Sequence, residues 1–557
     1  MDVQRIILIA ALGIISYMLV LQWNQDYGVQ PEPVVQTESV SAYQSSTDTT
    51  ASNGGDLPQT ETPAANGADV PGAKAVVTQQ KQLISVKTDV LELLIDSKGG
   101  DIIEVALPQY KATLGADQPF VLLEQNGNRT YVSQSGLIGT NGPDASVDGR
   151  PTYTTTANSY QLEGDELVVD LTHTADNGVI ITKRYRFNKG SYEVALDYQV
   201  NNTSAENWQA KLFGQIKRDG SGDPSETTDM GMQSYLGAVF STTEDNYQKI
   251  SFDDMKEANF KAASQDGWVA MSQHYFLSAW IPASGAEYSY SSRVSGDNHI
   301  AGFVSPAFDV KPGETKTVSA NFYAGPKVTE LLEEAAPNLE LTVDYGILWF
   351  IASPMAMVLK WIHSFVGNWG VAIIFITILV KALLFQVNAK AFKSMAKMRK
   401  FGPEMTRLKE LHGDDRQKMS QSMMELYKKE KINPLGGCLP IVAQMPIFIA
   451  LYWVLLESVE LRHAPFMLWI TDMSVMDPYF LMPILMGGTM FIQQLLNPTP
   501  PDPMQAKIMK MLPIVFTFFF LWFPAGLVLY WLVNNVLSIA QQYVINKQIE
   551  GDGGKKA

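Results

Sequence analysis

Residues 369–387 read Trp-Gly-Val-Ala-Ile-Ile-Phe-Ile-Thr-Ile-Leu-Val-Lys-Ala-Leu-Leu-Phe-Gln-Val, an apolar run interrupted by a single cation, Lys381. In hydrocarbon such a run has to satisfy its own backbone groups, which leaves it the helix. A charge near the middle of a bilayer helix costs about 2.5–3.5 kcal/mol on insertion scales, so it is retained where it faces a bundle interior or a wet cavity. Lys381 is therefore a candidate functional residue. The plainer reading is snorkelling, because Lys381 lies about six residues, or 9 Å, from the inner end of the run, within partial reach of the headgroups.

Four further runs of spanning character follow, at residues 439–456, 479–496, 508–523 and 526–545. Several sit at the short end of the roughly 17–25 residues that a spanning helix needs, which implies a locally thinned bilayer. Just before them, residues 345–362 are apolar but carry Pro354, Lys360, Trp349 and Trp361, a composition suited to a helix lying in the interface. The loops set the orientation. Residues 390–431 hold twelve Lys and Arg, among them Lys397, Arg399, Arg407, Lys428 and Lys429, whereas residues 457–477 hold only Arg462. The basic loop is thus expected in the cytoplasm.

The first part of the chain differs in kind. Residues 6–21 form an apolar run behind Arg5, followed by Trp23 and Tyr27, with no small-residue cleavage site and no cysteine for a lipid anchor. An uncleaved signal anchor over residues 1–27 is expected, a cleaved signal peptide being the alternative. Residues 28–81, rich in Ser, Thr, Gln, Gly and Pro, cannot bury a core and read as a flexible tether. From 82 to 340 the period is two: Tyr192, Val194, Leu196, Tyr198 and Val200 alternate with mostly polar neighbours, and Asp176-Asn177-Gly178 and Asn188-Lys189-Gly190 mark hairpin turns. This predicts a large all-β sandwich, ending in a short helix near residues 329–335. Counting the anchor, six spans place both termini in the cytoplasm and the β domain in the periplasm of a bacterial inner membrane.

The polar and apolar parts cancel to a mean hydropathy of −0.03. Of the net charge of −15, much of the acid lies between Asp56 and Asp344, which argues against a DNA-binding protein. One cysteine, Cys438, excludes an intramolecular disulfide, and the six histidines lack ligand spacing, so neither a metal nor a cofactor is expected. Asp219-Gly-Ser-Gly-Asp223 lacks the downstream glutamate of an EF-hand and reads as a plain turn. In the basic loop, Met395, Met398, Met405 and Leu408, then Met419, Met423 and Leu426, recur at helical spacing around His412-Gly-Asp-Asp415. That pattern suits an antiparallel helical hairpin over residues 390–432. Its charge is either a solvated face with a topology signal or a docking surface for anionic lipid and ribosomal RNA.

Six segments carry a family resemblance: Ser394-Met-Ala-Lys-Met398, Asn433-Pro-Leu-Gly-Gly-Cys438, Gln444-Met-Pro-Ile-Phe448, Ser458-Val-Glu-Leu-Arg462, Asp502-Pro-Met504 and Leu521-Trp-Phe-Pro-Ala-Gly-Leu-Val-Leu-Tyr530. In this order they resemble the YidC/Oxa/Alb family of membrane protein insertases, over most of residues 341–545. The resemblance implies a polytopic α-helical membrane protein. It would have a periplasmic interfacial helix (341–363), a five-helix insertase core with its cytoplasmic hairpin (364–550) and a short tail (551–557). The β domain resembles the β-supersandwich of the Gram-negative form. The core would enclose a hydrophilic groove, with Lys381 where the family commonly has arginine, which keeps the charge but loses the bidentate fork. Gln444 matches a groove-facing polar position and Trp531 an aromatic near the substrate path. Thr377, one turn from Lys381, and Asn534 are expected to line the groove too.

The function so implied is an insertase and chaperone for nascent membrane proteins, not an enzyme. Its expected partners are the Sec translocon with its accessory subunits, anionic lipids, and ribosomes or signal-recognition targeting factors docking at Lys397, Arg399, Arg407, Lys428 and Lys429. No phosphate-binding glycine-lysine motif points to ATP hydrolysis. A small-solute transporter is opposed by the lack of an inverted repeat, and a membrane-anchored periplasmic carbohydrate-binding protein by its surplus of helices.

Overall fold

The computed structural model describes residues 57–58, 82–146, 149–225, 234–411, 415–430, 439–497 and 503–553. The expected anchor (1–27), nearly all of the tether and Cys438 lie outside the described residues. The chain divides into two units near residues 343 and 344.

The first unit is a two-sheet β structure, with eleven strands in one sheet and eight in the other. The period of two becomes its register. Glu166–Thr174 pairs antiparallel with Ile180–Asn188 across Asp176-Asn177-Gly178, and Ile180–Asn188 pairs with Glu193–Asn201 across Asn188-Lys189-Gly190. Val194, Leu196, Tyr198 and Val200 all point into the core. Asp219 and Asp223 spend their carboxylates on turn backbone, Asp219 accepting from Ser221 N and Asp223 from Ser225 N and His274 N, which gives the plain turn expected there. A short helix, Thr329–Ala335, follows the last strand.

The second unit is helical, and with the two short helices Phe252–Glu257 (α1) and Thr329–Ala335 (α2) counted first, its members run from α3. Helix α3 (Trp349–Val366) buries Ala352, Ala356 and Leu359 along one face while Trp349, Phe350, Met357, Trp361 and Phe365 stay exposed. This i, i+4, i+7 stripe of small and branched residues lets it pack closely on its neighbours. The segment expected to lie in the interface is also, among the described residues, the one unbroken helix whose length and hydropathy would let it cross a membrane. It ends at Gly367, whose φ of 64° is the left-handed turn favoured by glycine, and its amide caps His363 O. Asn368 then caps α4 (Trp369–Leu383) by accepting from Val371 N.

Helix α4 stops sooner than the apolar run suggests. The chain turns by 67° at Leu384 and continues as α5 (Phe385–Lys400). Consequently Lys381 is in the last turn of its helix, and residues 390–400 are not part of a free hairpin. Phe392 and Met395 of α5 pack with Ile545, so Met395 serves the core and not the hairpin seam. The hairpin proper is α6 (Gly402–Leu411) and α7 (Arg416–Lys429), joined through buried Met405 and Leu426 and the Tyr427 hydroxyl on Met405 Sδ. The remaining helices are α8 (Leu439–Glu457), α9 (Leu481–Leu496), α10 (Pro503–Phe519) and α11 (Ala525–Gly553). Between α8 and α9, fully buried Asp477 accepts from Trp469 Nε1, Tyr479 N and Met482 N, which satisfies its charge and fixes the loop to the start of α9. Lys360 of α3 meets Glu460 of the same loop at 3.0 Å.

Candidate functional site

Lys381 is 9 % exposed and sits where α4, α8 and α11 converge. Its Nζ donates to Ser538 Oγ at 2.7 Å and to Gln444 Oε1 at 3.4 Å. Gln444 Nε2 in turn donates to Asn534 Oδ1 and, at 3.5 Å, to Tyr530 Oη. Ser538 Oγ closes the set by donating to Asn534 O at 2.7 Å. Among the described residues no carboxylate pairs with Lys381, so its partners are all neutral oxygens. Dipoles of this kind hold a cation without neutralising it, and its field stays available to an incoming anion.

The residues that surround Lys381 border a cavity of about 1020 Å³. Its lining combines polar side chains, Lys381, Asn388, Gln444, Asn534, Asn535 and Ser538, with aromatic ones, Phe448, Phe516, Phe519, Phe520 and Trp531. Polar and aromatic groups thus share one lining. A smaller cavity of about 560 Å³ lies in the β unit beside Asn246, Asp266, Trp268 and Asn321. There Trp268 is 1 % exposed and its indole donates to Pro337 O, so it presents no open ring face on which a sugar could stack.

Of the residues expected in the groove, Lys381, Gln444 and Asn534 are joined by hydrogen bonds and Trp531 borders the same cavity. Thr377 lies elsewhere: it is wholly buried, its hydroxyl donates to Ile373 O, and it does not line the cavity. A threonine in a helix can satisfy itself in this way on its own preceding turn, which removes any need to face water. Lys397 and Arg399 are exposed on the last turns of α5, Arg407 on α6, and Lys428 and Lys429 at the end of α7.

Sequence reasoning missed Ser538, Tyr530, Asn535 and Asn388. A signal for the first was present, because Asn534, Ser538, Gln542 and Asn546 recur every four residues and mark one polar face of the last helix. Asn388 lay just past the assumed end of the span at residue 387, where a polar residue draws no notice.

Residues 83–358 match the family described as YidC periplasmic domain, and residues 361–552 match the family described as 60Kd inner membrane protein. The membrane protein insertase YidC of Marinomonas sp. (strain MWYL1) is 54 % identical over 555 residues, 99 % of this chain and 100 % of that protein. That of Pseudomonas aeruginosa PAO1 is 52 % identical over 575 residues, 99 % of each. A crystal structure described as an active YidC insertase with the first transmembrane domain resolved aligns with 84 % of this chain and 93 % of its own, at 17 % identity and a TM-score of 0.39.

Proposed function

The chain belongs to the YidC family of membrane protein insertases, inner-membrane proteins with a periplasmic domain, and we propose that it performs insertion through the cavity around Lys381. A polar segment of a nascent protein is received by Lys381, Gln444, Asn534 and Ser538, while its apolar segment passes the aromatic residues near Trp531 into lipid. Nothing covalent is required. The barrier to be lowered is desolvation, since polar groups left unsatisfied in hydrocarbon each cost several kcal/mol, roughly. Lys381 contributes a transient attraction for carboxylates on the translocated segment.

The observation that carries this reading is the neutral cradle of Lys381, a buried cation with no counter-ion among the described residues. A counter-ion would have spent the charge, as in a structural ion pair. In this reading both termini are cytoplasmic and the β unit is periplasmic. Lys397, Arg399, Arg407, Lys428 and Lys429 form the face that meets anionic lipid and ribosomes or signal-recognition targeting factors, and larger substrates are handed over by the Sec translocon and its accessory subunits. Exposure of these cations beside a separately packed hairpin supports that assignment.

The test uses the purified protein in liposomes with a single-span substrate, read by protease protection of the translocated end. Lys381→Arg should insert a substrate with an acidic translocated segment at near wild-type rate, and Lys381→Glu should insert it at least about tenfold more slowly, the equivalent of 1.4 kcal/mol. Equal rates for wild type and the glutamate variant would reject the role given to the charge.

A further inference from the structure

Asn388 is the fourth residue of α5, just past the turn at Leu384, and borders the same cavity as Lys381. It is 1 % exposed, and neither Nδ2 nor Oδ1 has a hydrogen-bond partner among the described residues. In this it differs from the neighbouring polar groups, since Gln444, Asn534, Asn535 and Ser538 are all engaged. Trp531 Nε1, buried at the edge of the same cavity, likewise has no partner among the described residues. On α11 the polar face continues past Ser538 to Gln542 and Asn546, both buried, each with a side-chain carbonyl oxygen that no donor among the described residues reaches.

A buried amide with no partner costs about 1–3 kcal/mol, and apolar packing of the same shape would avoid that cost. We propose that Asn388, assisted by Trp531 Nε1, is a binding station for the polypeptide backbone of the substrate, independent of substrate charge. The proposal rests on the groove reading above and names a second kind of recognition within it. A carboxamide offers an acceptor and donors in one plane, the complement of a peptide C=O and N–H in an extended chain. It therefore pairs with a backbone of any sequence. Lys381 attracts carboxylates only, whereas every translocated segment carries peptide groups that must leave water. Trp531 adds a lone donor suited to a second carbonyl oxygen.

The experiment uses the full chain in phosphatidylethanolamine and phosphatidylglycerol vesicles, with two single-span substrates whose translocated ends are either neutral or acidic. Asn388→Leu should slow insertion of both by a similar factor, about fivefold for the loss of one such hydrogen bond. Its thermal midpoint should equal or exceed that of wild type, because an unpartnered amide has been replaced by an apolar group of similar size. Asn388→Gln, which keeps the amide, should recover part of the rate. Lys381→Gln should instead slow the acidic substrate more than the neutral one. A photoreactive residue at position 388 should cross-link to the translocated segment of either substrate.

Unchanged insertion by Asn388→Leu, slowing confined to the acidic substrate, or no cross-link at 388 while position 444 does cross-link would each overturn the station. Absence of cross-links at both 388 and 444 in vesicles that insert normally would overturn the groove reading itself. Should Asn388→Leu unfold, the pair Asn388→Gln and the cross-link at 388 still decide the matter.

Discussion

Lys183 is a buried lysine in the β unit whose surroundings predict how that unit responds to pH. It is 0 % exposed, and its Nζ donates to Gly99 O at 3.0 Å and Ser135 O at 3.3 Å beneath the rings of Tyr185 and Tyr198. Nearby, Arg150 bridges Asp101 and Asp144, and those carboxylates hold its pKa raised even though burial works the other way. Burial pushes the Lys183 ammonium down to about 7, with Asp101 opposing and Arg150 adding to the effect. Between about 7 and the ordinary 10.5 the unfolded chain holds this proton and the folded chain does not. Stability should therefore rise with pH across that window and be flat below it. Hydrogen exchange in the strand Ile180–Asn188, corrected for intrinsic rate, should show stronger protection near pH 9 than near pH 7, and Lys183→Met should remove the difference. None of this was legible from the sequence, where Lys183 is an ordinary polar member of an alternating strand. Its strand neighbours said which way it points, but not that Gly99 and Ser135 would be there to receive it.

At the scale of elements, the helices are positioned by a few close approaches. Gly487 of α9 has the Thr517 side chain of α10 where its own Cβ would be, so that side chain packs directly on the α9 backbone. Gly487→Val should push them apart and cost about 1–3 kcal/mol by overpacking, seen as a lower thermal midpoint in detergent. Gly488 has open space at the same point, and Gly488→Ala should cost much less. The helical hairpin is a contrasting case. Helices α6 and α7 pack on each other through Met405, Leu426 and Tyr427, so the pair is a satellite of the bundle. Replacing residues 402–429 by a short flexible linker should leave the thermal midpoint within a few degrees of wild type and reduce substrate delivery by ribosome-bound chains. Delivery at the wild-type rate would reduce the hairpin to a topology signal. The hairpin was foreseen from methionine and leucine spacing, but its start was misjudged by about ten residues. Helical periodicity runs unbroken through α5, and only the packing of Phe392 and Met395 on Ile545 separates the two.

At the scale of the whole molecule, the two units have separate cores and separate logic. The β unit carries its own sheets and its own buried charges, and the residues expected in the groove all lie in the helical unit. Removing residues 82–319 should therefore spare insertion of small substrates in liposomes while the chain stays in the membrane fraction. Removing residues 328–362 should abolish it, because α3 supplies Ala352, Ala356 and Leu359 to the core formed with α4 and α8. Protease protection of the substrate measures both outcomes, and loss of all insertion on deleting the β unit alone would contradict this division.

The sequence by itself determined the change from a period of two to apolar runs, the all-β and all-helical parts on either side of it, the isolation of Lys381 and the order of segments that mark the family. Each of these is local or compositional, and each survives as a count along the chain. What only the tertiary structure decided is which side chains meet. Ser538, 157 residues from Lys381, accepts its hydrogen bond, Thr377 turns back to Ile373 O, and α4 breaks at Leu384 so that Asn388 reaches the cavity wall. Periodicity says that a helix has a polar face, but the direction of that face is set by helices distant in sequence, whose packing is a property of the folded whole.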